Sequence, residues 1–342
     1  MTITEIKEKL QSPEYDFLRN NPNLGSNIMI LGLGGSYAYG TNVEGSDLDI
    51  RGVALMRPEH LLTNQGFDQV ENSETDTVIY SFNKIVSLLS NSNPNTIEIL
   101  GLKPEHYLYL SEEGRLLLDN KKIFLSKRAI NSFGGYANAQ LQRLNNKAVR
   151  DVCQSERERH ILNTIKYASI DFPQRYFPYS KGAIRLYIDE SDQEEYDTEI
   201  FMDVNLKHYP LRDYTSMWNE MKQMVSSYNK IGKRNNRAAT HGKLGKHMMH
   251  LVRLYLMAFD ILENEEIITY REKDHAFLME IRNGKYLDED DRVRPEFFEL
   301  VDELETRLKY AAENTSLPET PNYIEISNLM MEINGRVLHR KM

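Results

Sequence analysis

The sequence predicts an α+β protein in which a small mixed-sheet domain precedes a mainly helical one. A chain of 342 residues exceeds one ordinary compact core, so about two are expected. Through residues 1–118, short strand-like apolar runs alternate with glycine turns and brief helical spacings. From 119 to 342 long helical periodicities take over.

Taken in order, residues 1–20 are helix formers with Ile3, Ile6, Leu10, Phe17 and Leu18 as the apolar positions, and Asn-Pro-Asn at 21–23 ends that element. Residues 27–34 read as a buried strand running into a glycine turn, and 48–55 as the next strand. A third strand is predicted to start at Asp76, followed by helical spacing over 82–92 and a short helix that Pro94 opens and Gly101 closes. In the second part, helices are predicted over 126–148, 154–172, 213–230, 242–264 and 295–313. Residues 183–204 read as a hairpin whose acidic loop, Asp189 to Asp197, is a solvated turn. No solenoid repeat or low-complexity tract interrupts this order.

Composition narrows the chemistry. With 40% apolar and 27% charged residues the chain is an ordinary globular one. The single cysteine, Cys153, forms no internal disulfide and no thiolate cage, so any metal is held by oxygen or histidine. The first twenty residues mix charge into their apolar positions and contain no signal or membrane-spanning run, so a cytoplasmic protein without a membrane partner is expected. A net charge of -9 argues against the whole surface binding nucleic acid and leaves that role to local basic patches.

The segment that carries chemistry is Gly34-Gly35-Ser36-Tyr-Ala-Tyr-Gly40, followed by Ser46-Asp47-Leu48-Asp49-Ile50-Arg51. Glycines at the end of a buried strand let backbone N–H groups approach an anion, and the Ser36 hydroxyl adds a donor, so the turn suits phosphate. On a strand, residues two apart face the same way with backbones about 6.5–7 Å apart. Asp47 and Asp49 thus suit a hard divalent ion, and magnesium favours one or two carboxylates plus water and substrate phosphate oxygens. Two such ions roughly 3.5–4 Å apart support in-line displacement at phosphorus. A dinucleotide fingerprint fails because Tyr37 stands where its third glycine is required, and no Gly-Lys-Ser/Thr is present for a P-loop. Tyr37 and Tyr39 suit either base stacking or packing.

At these residues the chain resembles the DNA polymerase beta superfamily of nucleotidyltransferases. Gly-Ser-Tyr-Ala-Tyr-Gly-Thr, Ser-Asp-Leu-Asp-Ile-Arg-Gly-Val and Asn93-Pro94-Asn-Thr-Ile-Glu98-Ile-Leu are more narrowly similar to a bacterial and phage branch that includes RNA-repair-pathway polymerase-beta-like proteins. The resemblance extends to Lys246-His247-Met-Met-His250-Leu-Val-Arg253-Leu and Ile281-Arg282-Asn-Gly284. It implies a polymerase-beta-like fold in which Gly34, Gly35 and Ser36 hold a triphosphate and Asp47 and Asp49 bind metal. It also implies a third carboxylate from a later strand; Asp76 leads into a strand and is the first choice, with Glu74 and Glu98 as alternatives. The cofactor implied is Mg2+, as two ions, or Mn2+, and the substrate a nucleoside triphosphate.

A second feature reverses the charge of the chain. From Lys230 to Arg253 there are seven lysines and arginines and no acidic residue. On the helix beginning near 242, Lys246, His250 and Arg253 share one face, while Leu244, Met248, Leu251, Tyr255 and Phe259 follow the apolar spacing. Lys246 and Arg253, with His250, are therefore candidates for the triphosphate or the acceptor, against the plainer reading of a solvated basic face. His247 and His250 lack the carboxylate a facial metal set requires. Arg51 is placed to orient phosphate or base or to make a structural ion pair, and Gln140 and Arg143 are further candidates to line the cleft. The acceptor expected is an RNA 3′ end, tRNA-like; a protein or small-molecule hydroxyl is the alternative, and a non-catalytic nucleotide- or RNA-binding module is a different class.

Overall fold

The computed structural model describes residues 1–63, 65–148, 184–190, 198–204, 207–208, 210–211, 218–219, 222, 243–289 and 293–339. The chain opens with α1 (Ile3–Lys9), where Thr2 and Glu5 form a reciprocal capping box, and α2 (Phe17–Asn20). One helix over 1–20 was expected; Pro13 opens a separate 3-10 turn between them, because proline cannot donate within a continuing helix.

A five-stranded mixed sheet follows. Its strands are β1 (Ile28–Leu33), β2 (Ile50–Ala54), β3 (Gln69–Asn72), β4 (Thr77–Ser81) and β5 (Tyr107–Leu110), in spatial order β3-β4-β2-β1-β5. β2 and β4 are parallel, and the other pairs are antiparallel. All six residues of β1 are buried, as an unbroken Ile-Met-Ile-Leu-Gly-Leu run requires of a central strand. The three predicted strands are present, each trimmed at its ends. β3 and β5 are four-residue edge strands with exposed and half-buried positions; β3, Gln-Val-Glu-Asn, carries no apolar run, whereas β5, Tyr-Leu-Tyr-Leu, does and is an addition to the strands expected.

The short helices α3 (Gly35–Tyr39) and α4 (Pro58–Leu62) join β1 to β2 and β2 to β3. α5 (Phe82–Ser90) starts on a Ser81 cap and buries Phe82, Ile85, Val86 and Leu89, burial of about 1.5–3 kcal/mol per large side chain. α6 (Pro94–Ile97) runs into a 3-10 turn over Glu98–Gly101. α7 (Glu112–Asp119) has a Ser111 cap, and α8 spans Arg128–Ala148.

The expected hairpin is present as β6 (Ile184–Glu190) and β7 (Thr198–Val204), paired antiparallel from Ile184↔Val204 to Glu190↔Thr198. Of the acidic loop expected from Asp189 to Asp197, Asp189 and Glu190 belong to β6, and 191–197 lie outside the described residues, as do the expected helix at 154–172 and most of 213–230. Four helices complete the chain: α9 (Lys243–Asn264), α10 (His275–Arg282), α11 (Pro295–Asn314) and α12 (Tyr323–His339). The fold is α+β, with a mixed sheet first and a helical region after it.

Contacts divide the chain into two compact units. One joins Met1–Leu141 to Gly245–Met342, and the other is Gln142–Leu244. Contacts thus group the C-terminal helices with the sheet, whereas the sequence pattern changes near 118. Helix α9 is buried on nearly all sides, with Met248, Leu251, Val252, Leu254, Met257 and Ala258 each at most 2% exposed. A helix apolar all round lies inside a core. Among the described residues no helix is long and apolar enough to cross a membrane.

Candidate active site

The site forms where the glycine turn meets the start of β2. The Gly34 N–H donates to the Asp49 carbonyl at 2.8 Å, extending the β1–β2 ladder one step beyond the Leu33↔Ile50 pair. Gly35 then takes a positive φ of 51° and starts α3. A Cβ at Gly35 would stand 1.8 Å from Asp49 Oδ2, so the carboxylate occupies the space that a side chain at 35 would fill. Both requirements, left-handed backbone and close approach, select glycine. The Ser36 side chain follows on α3, half-buried, and the Ser36 carbonyl accepts from Thr41 N at 2.9 Å.

Asp47 and Asp49 lie just before β2, in chain leading into the strand. Asp49 is half-buried, its side chain 19% exposed. Asp47 is exposed, separated from it by the buried Leu48.

Asp76 meets Asp49 from the β3–β4 turn. It has a positive φ of 45°, and its carbonyl accepts from Ile50 N at 3.2 Å. The Arg51 guanidinium spans the two carboxylates: Nη1 donates to the Asp76 carbonyl at 2.6 Å, while Nη2 lies 3.4 Å from Asp76 Oδ1 and 3.5 Å from Asp49 Oδ1. Burial pushes the Asp49 carboxyl up to about 6, and the hydrogen bond and charge of Asp76 push the same way, against Arg51 and Lys246. Two carboxylates crowded together raise one another's proton affinity, and a divalent cation relieves such crowding.

Of the other carboxylates considered for the third position, Glu74 is exposed in the turn. Glu98 is buried and accepts a hydrogen bond from the Tyr39 hydroxyl. Among the described residues no group of three or more His, Cys, Asp or Glu is arranged to hold a metal ion. The donor set still fits an ion that takes one or two carboxylates and completes its shell with water and phosphate oxygens, which is magnesium chemistry. Asp49 and Asp76 would hold it, with Asp47 within two residues along the chain.

On α9 the expected basic face is divided. Lys246 is exposed, and its charge acts on Asp49. Arg253 is only 7% exposed, with its guanidinium carbon 3.3 Å from the centre of the Tyr39 ring. Its Nη2 donates to His250 Nδ1 at 2.6 Å. Tyr37 and Tyr39 are 9% and 1% exposed and pack internally, so the packing alternative holds for both. Residues 230–242 of the basic run and the side chains of Gln140 and Arg143 lie outside the described residues.

Two contacts at the site escape sequence reasoning. Arg282 Nη1 donates to the Thr41 carbonyl at 2.7 Å, and a Cβ at Gly245 would stand 2.2 Å from the Arg282 carbonyl oxygen. Both join distant segments, and periodicity reports nothing of such pairings.

The model of the RNA repair pathway DNA polymerase beta family matches residues 6–169. No curated protein matches the chain, and no solved structure does. Lys246, His250 and Arg253 lie outside the matched span, which holds the five-stranded sheet, the glycine turn and all three aspartates. Over residues 6–169, a little under half of its length, the chain is similar to the RNA repair pathway DNA polymerase beta family, and the polymerase-beta-like, nucleotidyltransferase fold that this family name indicates accords with the mixed sheet found there.

Proposed function

We propose that this chain is a metal-dependent nucleotidyltransferase that moves the nucleotidyl group of a nucleoside triphosphate onto the 3′ hydroxyl of an RNA, with release of pyrophosphate. The observation that carries the reading is the crowding of Asp49 against Gly35 on one side and Asp76 on the other, with Arg51 spanning both carboxylates. A phosphate at the glycine turn would lie beside these carboxylates, and negative groups so close call for a cation between them.

In this reading the backbone of Gly34 and Gly35 and the Ser36 hydroxyl hold triphosphate oxygens, and Lys246 neutralises charge from α9. Asp49 and Asp76, with Asp47 beside them in the chain, would hold Mg2+, and Asp76 would accept the proton of the attacking hydroxyl. Bound magnesium, or manganese, supplies charge stabilisation to attacking and leaving oxygens. Arg51 keeps Asp49 and Asp76 oriented toward one another. Arg253, being buried, acts on the nucleotide only through its neighbours, while the half-buried His250 lies between it and Lys246 on the same helix.

The RNA acceptor rests on the family, whose members are grouped by an RNA repair pathway, and on the lysines and arginines of 230–253. A tRNA-like 3′ end and a cytoplasmic setting belong to the same proposal.

The test is incubation with each α-labelled ribonucleoside triphosphate, with total RNA and separately with total protein, in Mg2+ or in chelator. Metal-dependent label in RNA supports the reading; label in protein moves the acceptor to a side chain. Equal label from the Asp47→Ala, Asp49→Ala double variant would overturn it. Tight RNA or nucleotide binding without any product would make the chain a binding module.

A further inference from the structure

Behind the glycine turn lies a buried group of charged and polar side chains that the proposed reaction leaves unused. Glu98 is 8% exposed and Arg253 7% exposed, and Tyr39, 1% exposed, joins them. The Tyr39 hydroxyl donates to Glu98 Oε2, and Thr269 Oγ1 donates to the Glu98 carbonyl at 2.6 Å. The other face of this arrangement is aromatic: the Arg253 guanidinium carbon stands 3.3 Å from the centre of the Tyr39 ring, cation–π distance. Arg253 Nε is buried with no hydrogen-bond partner, so ring and charge, together with His250 on Nη2, hold the side chain.

Stability alone does not account for such a group. Buried charges lose hydration that attraction from a distance only partly offsets, and apolar residues of similar volume often replace buried charged groups without loss. What the group does hold is position. Tyr39 ends α3, whose first turn is Gly35 and Ser36. Arg253 lies two turns beyond Lys246 on α9. A second clamp runs through the end of α10 to the start of α9, where Arg282 donates to the carbonyl of Thr41, two residues past α3, and the backbone of Gly245 lies against the Arg282 carbonyl. The two clamps are about 12 Å apart along the helix, and Lys246 stands between them.

We propose that Glu98, Tyr39 and Arg253 form a buried strut that fixes the glycine turn relative to Lys246, and that all three are positioning residues of the nucleotide site. This rests on the nucleotidyltransferase reading above. Glu98 accordingly serves as an internal counter-charge for Arg253 and not as a metal ligand. Burial pushes its carboxyl up, while the Arg253 charge and then the Tyr39 hydrogen bond pull it back. Arg51 pulls in the same direction, so the charge at the carboxylates acts on Glu98 as well as the one on α9.

The test is a double-variant cycle read by calorimetry, with Mg2+ and the α,β-methylene analogues of the four ribonucleoside triphosphates as probes. Lys246→Ala and Arg253→Met are each expected to weaken binding by about tenfold, and the double variant by little more than either, because a displaced Lys246 has no contact left to lose. Glu98→Gln keeps the shape and the acceptor, so it repeats the cycle if Arg253→Met fails to fold. Losses that multiply in the double variants would show independent action and overturn the strut, as would wild-type affinity in both Arg253→Met and Glu98→Gln. If the wild type binds none of the four analogues, the nucleotide reading itself falls and takes the strut with it. Wild-type binding that only Lys246→Ala weakens leaves that reading standing and removes the strut alone.

Discussion

The Asp49 carboxylate rests against the Cα of Gly35, so close that a Cβ at that position would lie 1.8 Å from Oδ2. The glycine turn and the Asp49 carboxylate therefore share one steric requirement. Gly35→Ala is expected to push Asp49 away and to strain a residue whose φ is +51°, at about 1–3 kcal/mol of stability. Nucleotidyl transfer should fall by about 100-fold, the scale of loss when a reacting group moves by an ångström. Thermal melts and label transfer on the same preparation check both. A Gly35→Ala protein with wild-type turnover would mean that Asp49 is free to sit elsewhere during the reaction.

The crowding of Asp49 and Asp76 predicts a pH-dependent trade of stability against activity. Burial and Asp76 raise the folded Asp49 carboxyl from 3.8 to about 6. A group raised on folding contributes its stability below the unfolded value and loses it as pH climbs through the folded one. In metal-free protein, this contribution is thus full below pH 3.8 and lost as pH rises through about 6. Asp49→Asn has no such loss and should exceed the wild type in stability at pH 7 by about 1 kcal/mol after allowance for solvent screening. The same variant should be inactive. Denaturation at pH 4 and pH 7 measures the difference, and Mg2+ should stabilise the wild type more than Asp49→Asn.

Arg51 is the guanidinium that makes the carboxylate pair tolerable. Its Nη1 also donates to the Ile50 carbonyl at 3.0 Å and the Asp76 carbonyl at 2.6 Å. Arg51→Met leaves these acceptors and both carboxylates without it, at an expected cost of about 1–3 kcal/mol. Lys should not restore it, since one ammonium does not reach both carboxylates and the carbonyl together. Melting of Arg51→Met and Arg51→Lys with and without Mg2+ reads this out, and equal melting temperatures for wild type and Met would sink it.

These relationships were unevenly legible in the sequence. β1 was clear because a central strand buries every residue, and Ser-Asp-Leu-Asp beside a glycine turn singled out Asp47 and Asp49, of which the structure sets Asp49 against Gly35. Asp76 was the first choice for the third carboxylate, with Glu74 and Glu98 as alternatives. The structure sets it beside Asp49 through the turn between β3 and β4, and β3 itself was invisible as a polar edge strand. The charges on α9 were read as an open face. Yet Met249, Val252, Leu254, Met257 and Ala258 surround that face with apolar side chains, which buries the helix and turns Arg253 inward. The grouping of 245–342 with the sheet rests on contacts such as Arg282 to Thr41, separated by 241 residues, and no local pattern encodes those.

That last contact gives a prediction far from the carboxylates. A Cβ at Gly245 would stand 2.2 Å from the Arg282 carbonyl oxygen, which is backbone and cannot swing aside. In the interior of a helix, Gly→Ala ordinarily stabilises by roughly 0.5–1 kcal/mol. At Gly245 the sign should reverse, with a loss of about 1–3 kcal/mol from overpacking. Gly335, inside α12 with nothing within 4 Å of its Cβ position, is the matched control and should show the ordinary gain. Displacing the first turn of α9 also moves Lys246, so Gly245→Ala should weaken triphosphate binding while Gly335→Ala leaves it unchanged. Melting curves and nucleotide titrations of the two variants side by side decide it: if Gly245→Ala is as stable as Gly335→Ala, the start of α9 does not bear on α10 as closely as the Gly245–Arg282 contact requires.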